Sequence, residues 1–396
     1  MSSFFHHLHP PAVRTSSLAP GRTLGLGLVA ASLVVLLCAS GLLLSAYYAP
    51  TATDAYASVL AIEDGVLFGA WLRAVHHWGA YALLVVVALH ALRVLGSGTD
   101  RARRLNWRVG LALASVVLML AVTGYILPWD AAALALARVS TGLLAYVPLV
   151  GGLGAGLLHG GSHVGALTLV RANALHVAVL PPALIGLGAW HLWRIRKDGG
   201  LVGEPGELVP AWPHLVLREA VVLAVVALAL ALVAALVPAP LGPAAGAPAS
   251  VAKAPWFLLG LQEMASSSLA ASVAALALVL VVLVALPSLD GAAWVGRPAL
   301  ASGAAALAVL AGAVALRERG LLEGAAWRAL AAPSWLVVMS TALTALLVRR
   351  RTRSWRAAAL AALAGLAAAY VGFTLLGACR GPLWRLAWPW EGGGGL

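Results

Sequence analysis

Apolar and polar positions fall along this chain in long blocks rather than in the short alternations of a water-soluble fold. Apolar stretches occupy residues 24–48, 75–95, 108–128, 172–194, 214–237, 266–286, 299–316, 334–348 and 356–377. A run of about 20 such residues crosses a ~30 Å hydrocarbon core as a helix. The pattern therefore predicts an all-α, polytopic transmembrane helical bundle of about nine spans. Residues 130–161 are too broken by Gly and Pro to span but keep apolar residues at helical spacing, which predicts helices lying on the outer surface. The segment DGGLVGEPGELVPAWP, residues 198–213, reads as a Gly/Pro-rich inner connection, and residues 238–255 read as an outer loop running into APWF. The expected organisation is a four-helix domain over 1–197, a linker over 198–213, a second domain over 214–290, and additional transmembrane helices with a tail over 291–396.

Composition strengthens this picture. Of 396 residues, 62% are hydrophobic and only 10% charged, with a mean hydropathy of +0.94, which excludes a soluble enzyme and a disordered chain alike. The net charge of +12 comes from Lys and Arg clustered between apolar runs, as in Arg101, Arg103, Arg104 and Arg108, or Arg349, Arg350, Arg351 and Arg353. That distribution is a topology signal and not a nucleic-acid-binding face. With the N-terminus cytoplasmic, most of the 26 Lys and Arg fall inside, as the positive-inside rule requires. Residues Met1 to Thr23 are polar and mixed, so no removable signal peptide is expected and the first span serves as the insertion signal. The two cysteines, Cys38 and Cys379, form no CxxC or CxxCH pattern, which argues against covalent haem, a zinc ribbon or a disulfide framework.

Two spans carry paired histidines. His76 and His90 stand fourteen residues apart, which at ~100° and ~1.5 Å per residue returns to nearly the same helix face ~21 Å farther along. His176 and His191 stand fifteen apart, with Pro181 and Pro182 between them able to kink the helix and absorb the mismatch. Side by side, the two helices bring His76 level with His176 and His90 level with His191. Two imidazoles on opposite sides make a six-coordinate, electron-transferring haem, so the pattern predicts two stacked bis-histidine haems, bound noncovalently through His76, His176, His90 and His191. Gly27 and Gly41 in the first span and Gly110 and Gly124 in the third repeat the spacing of fourteen and would let a flat macrocycle approach the backbone at the two depths. Arg73, Arg93 and Arg171, at the span edges, are candidate partners for haem propionates, although snorkelling at a helix end explains each of them equally well. His6, His7, His9, His77, His159, His163 and His214 have no partner at matched depth and are expected at the surface or in loops.

At these residues the chain resembles cytochrome b of the cytochrome bc and bf complexes, over most of residues 20–290. RAVHHWGAYALLVVVALHALR is similar to that family's second helix, GYILPWD to the signature after its third, and TLVRANALHVAVLPP running into WHLWRIRKDG to its fourth. The resemblance implies an outer, low-potential b haem on His76 and His176 and an inner, high-potential one on His90 and His191. It also implies a quinol oxidation site near the outer face, with Tyr125 in GYILPWD, Gly142, Pro255, Trp256 and Phe257, and a quinone reduction site near Arg196, Arg218 and Glu219. Two departures stand out. Gly25 occupies the position where the bf branch attaches an extra haem by cysteine, so no covalent third haem is expected. The family's PEWY motif appears as APWF, with Pro255 in place of its glutamate, so Glu263 in LGLQEM is the acid available to accept a quinol proton. An acid at a helix start, favoured by the dipole, is the plain alternative for Glu263, and a solvated salt bridge is the plain alternative for Arg218 and Glu219.

The resemblance implies the cytochrome b subunit of a membrane quinol:cytochrome c oxidoreductase. Its partners would be a Rieske-type iron-sulfur protein, a c-type cytochrome subunit, the quinone pool and membrane lipid, in a homodimeric complex of the bacterial cytoplasmic membrane. The competing readings are a haem-bearing membrane anchor relaying electrons between quinone and a peripheral dehydrogenase, and a transporter using its histidines as a proton relay. The last spans and the tail RGPLWRLAWPWE exceed what the resemblance explains.

Overall fold

The computed structural model describes residues 10–18, 25–145, 147, 149, 151–161, 163–198, 206–245, 253–291, 296–318 and 333–379. Thirteen helices organise them: α1 Leu26–Ser45, α2 Ala55–Gly65, α3 Gly69–Ser97, α4 Arg104–Ile126, α5 Ala131–Ala145, α6 Gly151–His159, α7 Ala166–Lys197, α8 Ala211–Leu236, α9 Trp256–Ser267, α10 Leu269–Ala285, α11 Gly296–Glu318, α12 Pro333–Thr352 and α13 Trp355–Cys379. Single turns at Thr15–Leu18 and Thr99–Ala102, a 3-10 turn at Leu286–Ser288 and a two-stranded antiparallel ribbon, β1 Ala12–Arg14 with β2 Leu208–Pro210, accompany them.

Among the described residues, α1, α3, α4, α7, α8, α10 and α13 are long and apolar enough to cross a membrane. The chain is an integral, multi-pass membrane protein, since in hydrocarbon a spanning segment must satisfy its own backbone hydrogen bonds, as a helix does. The seventh and eighth expected spans exist as α11 and α12 but are less uniformly apolar, α12 closing on Arg349, Arg350 and Arg351. Residues 130–161 form α5 and α6, of fifteen and nine residues, too short to cross.

Two helices lie where the sequence reading placed none. The run AYASVLAIEDG forms α2, preceded by Asp54, whose carboxylate accepts hydrogen bonds from the Thr51 and Thr53 hydroxyls. The run WFLLGLQEMASS forms α9, which ends where Ser268 turns extended (φ −162°, ψ 114°) and caps α10 by accepting from the Ala271 amide.

The chain divides into two compact units. The first holds residues 1–129 and 165–242, the second residues 130–164 and 243–396. At the centre of the first, Leu33, Leu83, Val117, Leu184 and Leu230, one each from α1, α3, α4, α7 and α8, form a single apolar cluster. In the second, α9–α13 pack around Met264, Ala275, Ala306, Leu310, Val337, Leu366, Ala369 and Phe373. Arg356, fully buried, donates from Nη1 to the Leu286 carbonyl and so closes the end of α10.

Candidate functional site

In the first unit, α3 and α7 face each other with their histidines level. The ring centres of His76 and His176 are 6.2 Å apart, and those of His90 and His191 are 6.4 Å apart, with ring planes at 75° in both pairs. An imidazole nitrogen binds a first-row metal at ~2 Å and lies ~1.1 Å from its own ring centre, so two rings on opposite sides of one metal ion have centres ~6 Å apart. Each pair is spaced for such an ion.

A local distortion levels the second pair. Residues Leu175–Val179 form a π-turn in which the Leu180 N–H reaches back five residues to the Leu175 carbonyl. Pro181 and Pro182, which have no N–H, cannot close the ordinary bonds to the Val177 and Ala178 carbonyls, and the ladder slips by one residue. The wider turn absorbs the fifteenth residue and returns His191 to the face that His176 occupies.

Helices α1 and α4 close the pairs from either side through their four glycines. A Cβ built on Gly41 would stand 2.9 Å from His76 Cε1, and one on Gly124 would stand 2.5 Å from His176 Cε1. On Gly27 and Gly110 it would meet His90 Cε1 and His191 Cε1 at 3.5 Å. The glycines thus make room for the imidazole rings themselves. Between the two levels lies the apolar cluster, with Leu83 midway along α3 between its histidines and Val117 midway along α4 between its glycines. Seven residues of helix, ~10 Å, separate that layer from each histidine level.

The Nδ1 atoms have partners at one level. His76 Nδ1 lies 3.0 Å from Ser40 Oγ, and His176 Nδ1 lies 3.2 Å from Thr123 Oγ1 and 3.1 Å from the Leu120 carbonyl. Both hydroxyls donate their own proton to a carbonyl one helical turn back, Leu36 at 2.8 Å and Met119 at 2.7 Å, so each oxygen serves its histidine as an acceptor. With Nδ1 carrying the proton, Nε2 keeps the lone pair with which an imidazole can bind a metal ion. At the other level His191 Nδ1 is buried without a closed hydrogen bond among the described residues.

The arginines have mixed surroundings. Arg73 donates to the Glu63 carboxylate of α2, to the Ala239 carbonyl at 2.9 Å and to the Pro240 carbonyl at 2.6 Å. Glu63 is a residue the sequence reading missed, and the signal was the acid-containing IEDG run ending α2. Arg93 and Arg171 are half-buried near the ends of α3 and within α7. His77, expected at the surface, is instead half-buried in α3 between Trp78 and Tyr81, at 4.9 and 4.6 Å between ring centres. His163 and His214 are exposed, while His6, His7 and His9 lie outside the described residues.

At the far end of α7, Arg196 Nη2 meets Glu219 Oε1 at 3.2 Å, joining two residues expected in one inner layer, with Arg218 half-buried beside them on α8. Arg103 caps the end of α7 by donating to the Ile195 and Asp198 carbonyls, and burial, ahead of its charged neighbours, holds its guanidinium below the usual arginine range. Tyr125 is half-buried on the last turn of α4, and the hydroxyl of Tyr48 donates to the Leu127 carbonyl at 2.7 Å, tying the end of α1 to this turn.

In the second unit, Gly142 is buried on α5, and α9 carries Trp256, exposed, and Phe257, buried, with Pro255 as its N-cap. Glu263 is only 8% exposed and lies in the penultimate turn of α9. The expectation of an acid at a helix start is overturned: the helix begins seven residues earlier, and the dipole at the Glu263 end disfavours a negative charge. Its side chain packs on α13, where a Cβ on Gly377 would come within 2.7 Å of Glu263 Cγ. Lys253 Nζ donates to the Gly377 carbonyl at 2.7 Å, and the Tyr370 hydroxyl donates to the Phe257 carbonyl.

A family model described as cytochrome b/b6/petB matches residues 15–199, the part of the chain that carries all four histidines. The menaquinol:cytochrome c reductase cytochrome b subunit of Geobacillus thermodenitrificans is 43% identical over 162 residues, which are 40% of this chain and 72% of that protein. This chain belongs to the cytochrome b family. The subunit of the same name in Bacillus subtilis is 44% identical over 162 residues, covering 40% of this chain and 72% of the relative. Cytochrome b6 of Prochlorococcus marinus (strain MIT 9211) is 40% identical over the same length, covering 41% and 74%. A chain of a solved structure, a hyperthermophilic respiratory complex III, shares the fold with a TM-score of 0.59 at 23% identity, over 89% of either chain. The likeness in fold therefore reaches past the end of the family match into the rear half of this cytochrome b.

Membership of the family implies b-type haem and oxidoreductase chemistry. The residues fit that group. Among the described residues no three His, Cys, Asp or Glu side chains gather at either histidine pair, and a group that brings its own equatorial ligands, as a porphyrin does, would need only the two imidazoles.

Proposed function

We propose that this chain is the cytochrome b subunit of a quinol:cytochrome c oxidoreductase. In this reading it binds two noncovalent b haems, one between His76 and His176 and one between His90 and His191. The observation that carries the proposal is the pair of imidazole pairs, each spaced for one metal ion and each backed by glycines on α1 and α4. When bound, the haems supply reversible one-electron transfer across the bilayer. The chain's own residues orient the ligating nitrogens, keep a dry apolar layer between the levels, and manage protons at the two ends.

Quinol oxidation is assigned to the segment from Pro255 through Trp256 and Phe257 to Glu263, with Gly142. Glu263 accepts the proton of a quinol hydroxyl there, a general-base role for which a buried carboxylate is suited. Quinone reduction is assigned to Arg196, Arg218 and Glu219, where a carboxylate beside a guanidinium can pass a proton to the reduced ring. Arg93 and Arg171 are assigned to haem propionates, and a propionate at Arg73 would compete with Glu63. The first site faces the outside of a bacterial cytoplasmic membrane and the second, with the N-terminus, faces the cytoplasm, an orientation that the positions of the arginine clusters support. Electrons leave through a Rieske-type protein to a c-type cytochrome subunit, in a homodimeric complex.

The deciding measurement is a pyridine haemochrome assay with a redox titration on the purified complex. Two noncovalent b haems per chain with separated midpoints are expected. One haem would mean that one histidine pair is structural, and none would overturn the proposal.

A further inference from the structure

The two histidine levels share their pairing and their backing glycines but differ in the residue just before each glycine. At His176 the carbonyl of Leu120, four residues before Gly124, lies 3.1 Å from Nδ1. The residue just before the glycine differs between levels. It is Ser40 before Gly41 and Thr123 before Gly124 at the His76–His176 level, but Leu26 before Gly27 and Val109 before Gly110 at the His90–His191 level. Ser40 and Thr123 are 4% and 7% exposed, and both place their oxygens against Nδ1.

Building on the two-haem reading above, we propose that Ser40 and Thr123 are positioning residues that set the potential of one haem against the other. Each hydroxyl oxygen accepts the Nδ1–H of its histidine, and an acceptor on the far side of an imidazole raises the ring's basicity toward the metal at Nε2. A more basic ligand favours the ferric over the ferrous ion. The couple is Fe(III) + e⁻ ⇌ Fe(II) at each level, with no bond made or broken in the protein and no proton transferred. Two added acceptors at the His76–His176 level therefore lower that midpoint, and electrons run downhill to the His90–His191 level, where leucine and valine offer none. Leu26 and Val109 cannot compensate, because an aliphatic side chain neither donates nor accepts.

The experiment is a chemical redox titration of the purified complex, read from the haem absorption bands and the ferric EPR signals, on Ser40→Ala, Thr123→Val and the reverse substitution Val109→Thr. In S40A and T123V the haem at the His76–His176 level is expected to become easier to reduce, with its ratio of reduced to oxidised form at fixed potential rising about threefold to tenfold. Each tenfold step corresponds to ~59 mV for a one-electron couple. The other haem keeps its midpoint. V109T, which matches valine in shape and adds a hydroxyl, is expected to lower only the midpoint at the His90–His191 level. Unmoved midpoints, or equal movement of both haems in any one variant, overturn the proposal. Should S40A lose its haem, Ser40→Thr decides: it keeps the hydroxyl and is expected to keep the native midpoint, and a shifted midpoint there overturns the proposal. Absence of haem from the unmutated complex would instead overturn the two-haem reading on which this one rests.

Discussion

At the scale of single residues, the glycines and Glu263 make separable predictions. A methyl group at Gly124 or Gly41 would sit 2.5 or 2.9 Å from a histidine ring carbon, closer than side-chain atoms tolerate, whereas at Gly110 or Gly27 it would sit at 3.5 Å, an ordinary contact. Gly124→Ala is expected to displace His176 and lower the haem content toward one per chain, while Gly110→Ala keeps both, as read by pyridine haemochrome. Glu263→Gln keeps the shape and removes the proton acceptor, so quinol turnover is expected to fall about 10²-fold with both haem spectra intact. Unchanged turnover would remove Glu263 from the chemistry. These residues differ in how far the sequence exposed them. The four histidines and four glycines were legible because fourteen-residue spacing is a property of the helix alone. The buried setting of Glu263 was not, because it depends on Gly377, more than a hundred residues farther on.

Among the elements, the π-turn at Leu175–Val179 is the one on which the second histidine pair depends. It holds one residue more than a regular helix needs, so deleting Ala178 removes the extra residue and leaves the histidines of α7 fourteen apart, as they are in α3. That variant is expected to retain two haems. Deleting Val85 from the regular helix α3 instead turns His90 by ~100° relative to His76 and is expected to cost one haem. Haem stoichiometry after purification checks both. Pro181 and Pro182 pointed to an irregularity in this helix, but only the hydrogen-bond pattern identified it as an inserted residue. The short helices α2 and α9 escaped because each is too brief to span and is stabilised by what it packs on: α2 through Glu63 and Arg73, α9 through Gly260 and Gly377 against α13.

For the whole molecule, the two compact units carry different parts of the proposed activity. The four paired histidines, their backing glycines and the Arg196–Glu219 pair belong to the first, and Glu263 with the helices that hold it belongs to the second. A chain ending at Asp290 keeps the first unit and removes Tyr370 and Gly377 from α9. It is expected to show both haems by absorption and to lose quinol turnover. The sequence by itself determined that this protein spans a membrane, where its seven most apolar helices lie and where two pairs of histidines stand along them. Hydropathy and helical period are local quantities, fixed by neighbours a few residues apart. The tertiary structure alone decided which glycine faces which histidine, which hydroxyl reaches which ring nitrogen, and that residues 130–164 pack with the chain beyond 243. Those relations join segments distant in sequence, and they are set by close packing and buried hydrogen bonds rather than by any repeat a single strand of sequence can display.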